Sequence, residues 1–298
     1  MLNGTELIGY GSGGSGGDVG SVPYLSTLIY DSPGLTSVFP DVGVTLEEMG
    51  VVAAIVLVIG PGGYGGRTAD NGIWGRGGGS GGWSAKAMIL NSAYNGNGSS
   101  RVNMFQKLPV LDQSRFTSAG VDYNVVLPNP IPLISTPLNI YIGSSATSTT
   151  IPTVTTLQDS LSNVITEATS GTAGANGSDG RCELSRQGYD KSRPGCGSGG
   201  DYFGRGRYGG YQNCPGWDGQ TLTRCDGTTR VLNYLTDDQG PTYGNLYKGA
   251  PSFWYDSWVT NGTAAPTTAY GAGGGGRSSN PALPGACGAV VIYTFGYL

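Results

Sequence analysis

The sequence predicts a mainly β protein with little or no α-helix, a short β framework carrying glycine-rich helices of the polyglycine-II type and long loops. Three observations predict it. Of 298 residues, 55 are Gly and 17 are Pro, the residues that helices and ordinary strands avoid. Apolar residues still make up 38% and charged residues only 12%, which is not the profile of a disordered chain. Continuous β-branched runs also enter and leave the glycine-rich stretches, so those stretches are tied to a core.

The elements follow in order. Residues 1 to about 22 are Gly/Ser-rich, and 23–50, with Pro23, Pro33 and Pro40, read as short strands and turns. VVAAIVLVIG (51–60) is continuous, β-branched and ended by Gly-Pro, so it reads as a strand buried on both faces. After a glycine-rich run to Gly82 comes a second strand, WSAKAMIL (83–90). Weaker strand signals lie at 102–111, 122–127 and 138–143. In 158–168 the spacing of Leu157, Leu161, Val164 and Ile165 is helical, but Ser and Gly follow, so a strand or irregular structure is preferred to a short helix. GACGAVVIYTF (285–295) is a last buried strand.

Glycine recurs in a register of three. Gly171, Gly174, Gly177 and Gly180 share one phase; so do 60, 63, 66, 72, 75, 78 and 81, interrupted by Ala69, and 11, 14, 17 and 20. Three residues per turn is the period of an extended helix rising about 3.1 Å per residue without internal hydrogen bonds. Its backbone groups must be satisfied by neighbouring helices, and only Gly permits that approach. The glycine content is below the one third of collagen. Short antiparallel helices in a stack are therefore expected.

Composition also removes chemistry. The chain has no His, which excludes Ser-His-Asp and Cys-His nucleophiles and every His-ligated metal. No D-x-D-x-D-G loop is present, and nothing selects a carboxylate pair for glycan hydrolysis from the 20 acids. No enzyme activity, cofactor or metal is expected. A net charge of -4 gives no global attraction to nucleic acid or anionic membrane, and the longest apolar run is too short to span a bilayer. The five cysteines contain no C-x-x-C. Cys182, Cys196, Cys214 and Cys225 are candidates for disulfides stapling a loop-rich region, and Cys287 for a free or intermolecular thiol; buried reduced thiols are the alternative. The first residues lack the basic and apolar regions of a secretory signal.

The stretch 182–258 is aromatic-rich and poor in apolar aliphatics, hard to read as ordinary core. Tyr and Trp give large amphipathic contact area at small entropic cost, so it is the best candidate for a recognition surface. The candidate residues are Tyr202, Phe203, Arg205, Arg207, Tyr208, Tyr211, Trp217, Phe253, Trp254, Tyr255 and Trp258. If extended, 253–258 would place Trp254 and Trp258 on one face with Asp256. The plainer reading is that these rings pack on glycine helices or in a subunit interface. YFGRGRYGGY (202–211) resembles nucleic-acid-binding segments only weakly, and its two Arg could pair with an anionic glycan or be solvated.

The order of these pieces, VVAAIVLVIGPGGYGG, GGWSAKAMIL, LNIYIGSSATS, NVITEATSGTAGANG and GAGGGG…GACGAVVIYTF, resembles the glycine-rich domain of bacteriophage tail-fibre and adhesin proteins over roughly residues 50–296. The resemblance implies layered polyglycine-type helices on a short β framework, with exposed loops that bind the host surface and no catalysis. It divides the chain into an attachment or oligomerisation segment (1–50) and a fibre or adhesin domain (51–298) with the insert 182–258. The expected location is the virion exterior, which also suits a disulfide-ready chain without an export signal. Expected partners are other virion proteins, a bacterial surface receptor (glycan or outer-surface protein) and further copies in a homo-oligomer, a trimer being usual for fibres. The alternative is a purely architectural virion component.

Overall fold

The computed structural model describes residues 24–39, 51–67, 75–90, 123–125, 132–147, 152–174, 192–209, 221–223, 229–231, 247–278 and 281–296. Among these there is no α-helix. The strands are β1 (Tyr24–Tyr30), β2 (Gly34–Val38), β3 (Val51–Ile59), β4 (Trp83–Ile89), β5 (Tyr123–Val125), β6 (Leu138–Ile142), β7 (Val154–Gln158), β8 (Val164–Thr169), β9 (Gly197–Ser198), β10 (Tyr202–Gly204), β11 (Thr221–Thr223), β12 (Thr229–Val231) and β13 (Ala289–Gly296). Two antiparallel sheets form, in the orders β1-β13-β3-β4-β10-β5 and β2-β6-β7-β8-β9; β11 and β12 make a separate ribbon.

β3 reads as a continuous apolar run because both its faces are covered. Ile55, Leu57 and Ile59 pack with Trp83, Val291, Tyr293 and Phe295 on one side of the six-stranded sheet. Val56 and Val58 point the other way, where with Met88 and Ile292 they meet Leu138, Ile140 and Leu157 of the second sheet. Each such side chain contributes about 1.5–3 kcal/mol of burial, so this two-sided strand anchors the molecule. The flank is closed by Lys86, whose Nζ lies 3.1 Å from a carboxylate oxygen of the fully buried Asp201. The other carboxylate oxygen accepts the Ala87 N–H at 2.9 Å, so the buried charge is both paired and hydrogen-bonded.

Sequence expectation and structure meet closely at β3, β4, β6 and β13. Residues 154–169 form a hairpin rather than the short helix weighed as the lesser option. Leu161 sits 80% exposed at its tip, so the helical spacing of Leu157 and Leu161 does not describe a common face. The turn is made by Asp159, whose carboxylate accepts the backbone N–H of Leu161 and Asn163 and the Asn163 side-chain amide at 2.8–2.9 Å. The strand expected at 102–111 lies outside the described residues. Residues 24–39 of the expected N-terminal segment are built into both sheets as β1 and β2; 1–23 and 40–50 lie outside the described residues.

Above the sheets the glycine runs form parallel and antiparallel columns with a three-residue hydrogen-bond repeat. Gly60, Gly63 and Gly66 donate to the carbonyls of Gly82, Gly79 and Arg76 at 2.9, 2.9 and 2.7 Å. Gly75, Gly78 and Gly81 donate to Arg277, Gly274 and Gly271 at 3.1, 2.8 and 2.8 Å. Gly171 and Gly174 donate to Pro61 and Tyr64 at 2.9 and 2.8 Å; Gly177 and Gly180 lie outside the described residues. The column at 75–82 is central. It bonds to columns at 60–66, 169–172, 271–277, 192–195 (Gly195 N–H to Ser80 O), 205–209 (Ser80 N–H to Arg207 O) and around Ala250 (N–H to Gly78 O). Six neighbours around one extended chain is hexagonal packing, which leaves no room for a Cβ at the glycines of the column.

Candidate functional site

The columns have a direction. Those at 60–67, 169–174, 205–209 and 271–277 run away from the sheets, and those at 75–82, 192–196 and 283–288 return, as the antiparallel and parallel pairings require. The described column ends at 67 and 75, 174 and 192, and 209 and 247 therefore lie at the far end of the stack. The eight residues of the column 60–67 make seven steps and rise roughly 20 Å at about 3.1 Å per step. That end is thus separated from the sheets by a rigid pillar.

The candidate residues fall into three groups. Phe203 is half-buried in β10, a strand that pairs with β4 and β5; the side chain of Tyr202 and all of Tyr211 and Trp217 lie outside the described residues. Arg205 and Tyr208 are buried, with the guanidinium 5.9 Å from the tyrosine ring centroid, an intramolecular cation–π contact. Arg207 is half-buried, its backbone N–H held by Ser80 Oγ at 2.7 Å.

Residues 253–258 are not extended, which corrects the alternation expected from sequence. Ser252 and Tyr255 exchange hydrogen bonds across a tight turn, the Ser252 N–H donating to the Tyr255 carbonyl at 2.9 Å and the Tyr255 N–H to Ser252 Oγ at 3.0 Å. The turn swings Phe253 onto Trp83, stacked at 4.3 Å and 21°, and Trp254 against Tyr270 at 5.8 Å. Tyr255 packs on Val259, Ala269 and Ala272. Asp256 and Ser257 are exposed and Trp258 half-buried. Phe253 and Trp254 thus rest on the sheet core and Tyr255 on Val259, Ala269 and Ala272, so a stretch that was hard to read as ordinary core is in part core.

Tyr270 also ties the pillar to the β1–β2 turn. Its hydroxyl donates to Asp31 Oδ2 at 2.9 Å, and the Cys287 thiol donates to the Asp31 carbonyl at 3.2 Å. Burial, and then Asp31, push the Tyr270 pKa up to about 12. Burial, seconded by Asp31, also raises the Cys287 thiol, which keeps this free cysteine in its less reactive protonated form. Cys196 is disulfide-bonded; Cys182, Cys214 and Cys225 lie outside the described residues. Among the described residues no three His, Cys, Asp or Glu side chains come together as a metal site.

Sequence reasoning missed the cations at the far end of the stack. Arg67, Arg76 and Arg277 meet at its far end: the Gly66 N–H donates to Arg76 O, the Arg277 N–H to Gly66 O, and Arg67 bridges to Arg277. Lys248 lies one layer lower, its carbonyl against Gly77. The overlooked signal was an Arg directly at the edge of a glycine run, as in GGR (65–67), GRGGG (75–79) and GGGGR (273–277). No family model matches the chain, and no curated protein matches it significantly.

Proposed function

We propose that the chain is a bacteriophage virion protein, a tail-fibre or fibre-tip adhesin that binds the bacterial surface without catalysing a reaction. The observation that carries the reading is one rigid hexagonal stack on which the column ends at 66–67 and 75–76, 174 and 192, and 209 and 247 lie together at the end away from the sheets. Such a pillar holds whatever it carries away from the framework at little entropic cost, as a recognition tip requires. Attachment falls to the opposite end, where β1 begins and β13 finishes. The test is binding of the purified chain to susceptible cells. Saturable binding that blocks infection is expected; no binding to any susceptible cell, with the tip enclosed in the purified particle, overturns the reading. The packing of Phe253 and Trp254 on the core favours the second reading, a purely architectural virion component, which that outcome would support.

A further inference from the structure

The five-stranded sheet ends in an open edge. Among the described residues β2 pairs with β6 and makes no other hydrogen bond, so alternate residues of Gly34–Val38 turn their backbone N–H and C=O outward. Left-handed backbone brackets the strand, with φ of +127° at Gly34 and +54° at Phe39, so five residues are offered. Natural edges are commonly blunted by Lys, Pro or a bulge, and this strand contains none of them. Leu35 is 68% exposed on it, and its cross-strand neighbour Tyr141 is 43% exposed. Neither β2 nor β6 holds a charged residue.

We infer that β2 pairs with β2 of a second copy of the chain, antiparallel about a two-fold axis at Thr36, so that two five-stranded sheets become one. The edge is complementary to itself. Gly34 meets Val38 of the second copy, Leu35 meets Ser37, and Thr36 meets Thr36. Val38 points into the core, so Leu35 and Ser37 share the outer face of the sheet. The two Leu35 side chains then lie on diagonal positions about 7–8 Å apart across the seam, each flanked by Tyr141 of its own copy. Exposed apolar surface on one copy thus covers the same surface on the other, with no charge on either strand to oppose the contact. A head-to-tail ring, such as the trimer usual for fibres, would need a second open edge of matching length. β9, at the other end of this sheet, has two residues and β5 three, while Thr27 in the middle of β1 already makes a further contact. Five residues a side are far fewer than the roughly 20–30 of a stable interface, so the pair is reversible and depends on concentration. The inference goes beyond the proposed host-binding role and does not rest on it.

The experiment is sedimentation velocity on the full chain from micromolar to near-millimolar concentration, where a reversible monomer–dimer equilibrium is expected. Leu35→Lys sets like charges diagonally across the seam, and Ser37→Glu sets a carboxylate against Leu35 and near its own counterpart. Each should weaken association at least about tenfold. Both positions are exposed, so each variant should melt as the unaltered chain does. Mixed in equal amounts, the two variants should associate again, because the new ammonium of one copy faces the new carboxylate of the other. Amide exchange in 34–38 of the unaltered chain should also slow as concentration rises, while that of 159–163 stays constant. A chain that stays monomeric at every concentration, a trimer, association untouched by either substitution, a mixture that stays apart, or exchange in 34–38 that ignores concentration overturns the inference.

Discussion

Gly78 lies where the central column meets the one at 60–66, and a Cβ there would overlap the Gly63 carbonyl. Gly34 makes the opposite demand: a Cβ would meet nothing within 4 Å, but φ is +127°, where side chains are strained. Gly78→Ala is therefore expected to cost at least about 3 kcal/mol, because backbone cannot move aside as a side chain would. Gly34→Ala should cost only about 1–2 kcal/mol of backbone strain. Urea unfolding midpoints check the order, and equal losses would mean the stack is looser than its hydrogen bonds indicate. Tyr270 makes a second prediction at this scale. Its folded pKa, about 12, is above the ordinary value of 10.0, so its contribution is intact below pH 10 and lost as pH rises from 10 to 12. Melting temperatures should fall over that window, and Tyr270→Phe should remove part of the fall; an identical alkaline profile in the variant would refute the assignment.

The hairpin of β7 and β8 shows what an element owes to its turn. Asp159 is held below the usual carboxylate range by its hydrogen bonds to the Asn163 side chain and backbone, against a small burial effect, with the Leu161 N–H adding to them. Because its pKa is depressed, the stability it lends is present above pH 4 and is lost as pH falls further. Asp159→Ala should speed amide exchange in 154–169 at neutral pH while leaving β3 and β13 unchanged; exchange slowed only by global unfolding would show that packing alone holds the hairpin. This element was poorly legible in sequence. Leu157, Leu161, Val164 and Ile165 are spaced as in a helix, and only the Asp159 and Asn163 pair signals the reversal. β3 and β13 were legible because burial on both faces demands an unbroken apolar run.

At the scale of the molecule, the three-residue register was visible because close approach imposes a glycine at every contact. The choice of 75–82 as the central column was not, since its partners lie as far away in sequence as Gly274 and Ala250. The recognition surface was legible only in part. Rings of the 253–258 stretch were drawn into the core by a tight turn that alternation could not reveal, and Arg67, Arg76 and Arg277 were hidden by a negative total.

Gly77 touches the two columns that flank the longest segment: a Cβ on Gly209 would meet its carbonyl, and its own Cβ would meet that of Lys248. The points where residues 210–246 depart and return are thus close together on one inner column. A segment inserted between adjacent anchorages behaves as an exchangeable cassette, and replacing 210–246 by a short Gly-Ser bridge should leave a folded pillar and alter the cell range. Collapse of the pillar in that variant would mean the segment is part of its foundation. If the cassette holds, new surface specificities could arise by swapping this one stretch while the lattice beneath it, intolerant of a single methyl group, stays fixed.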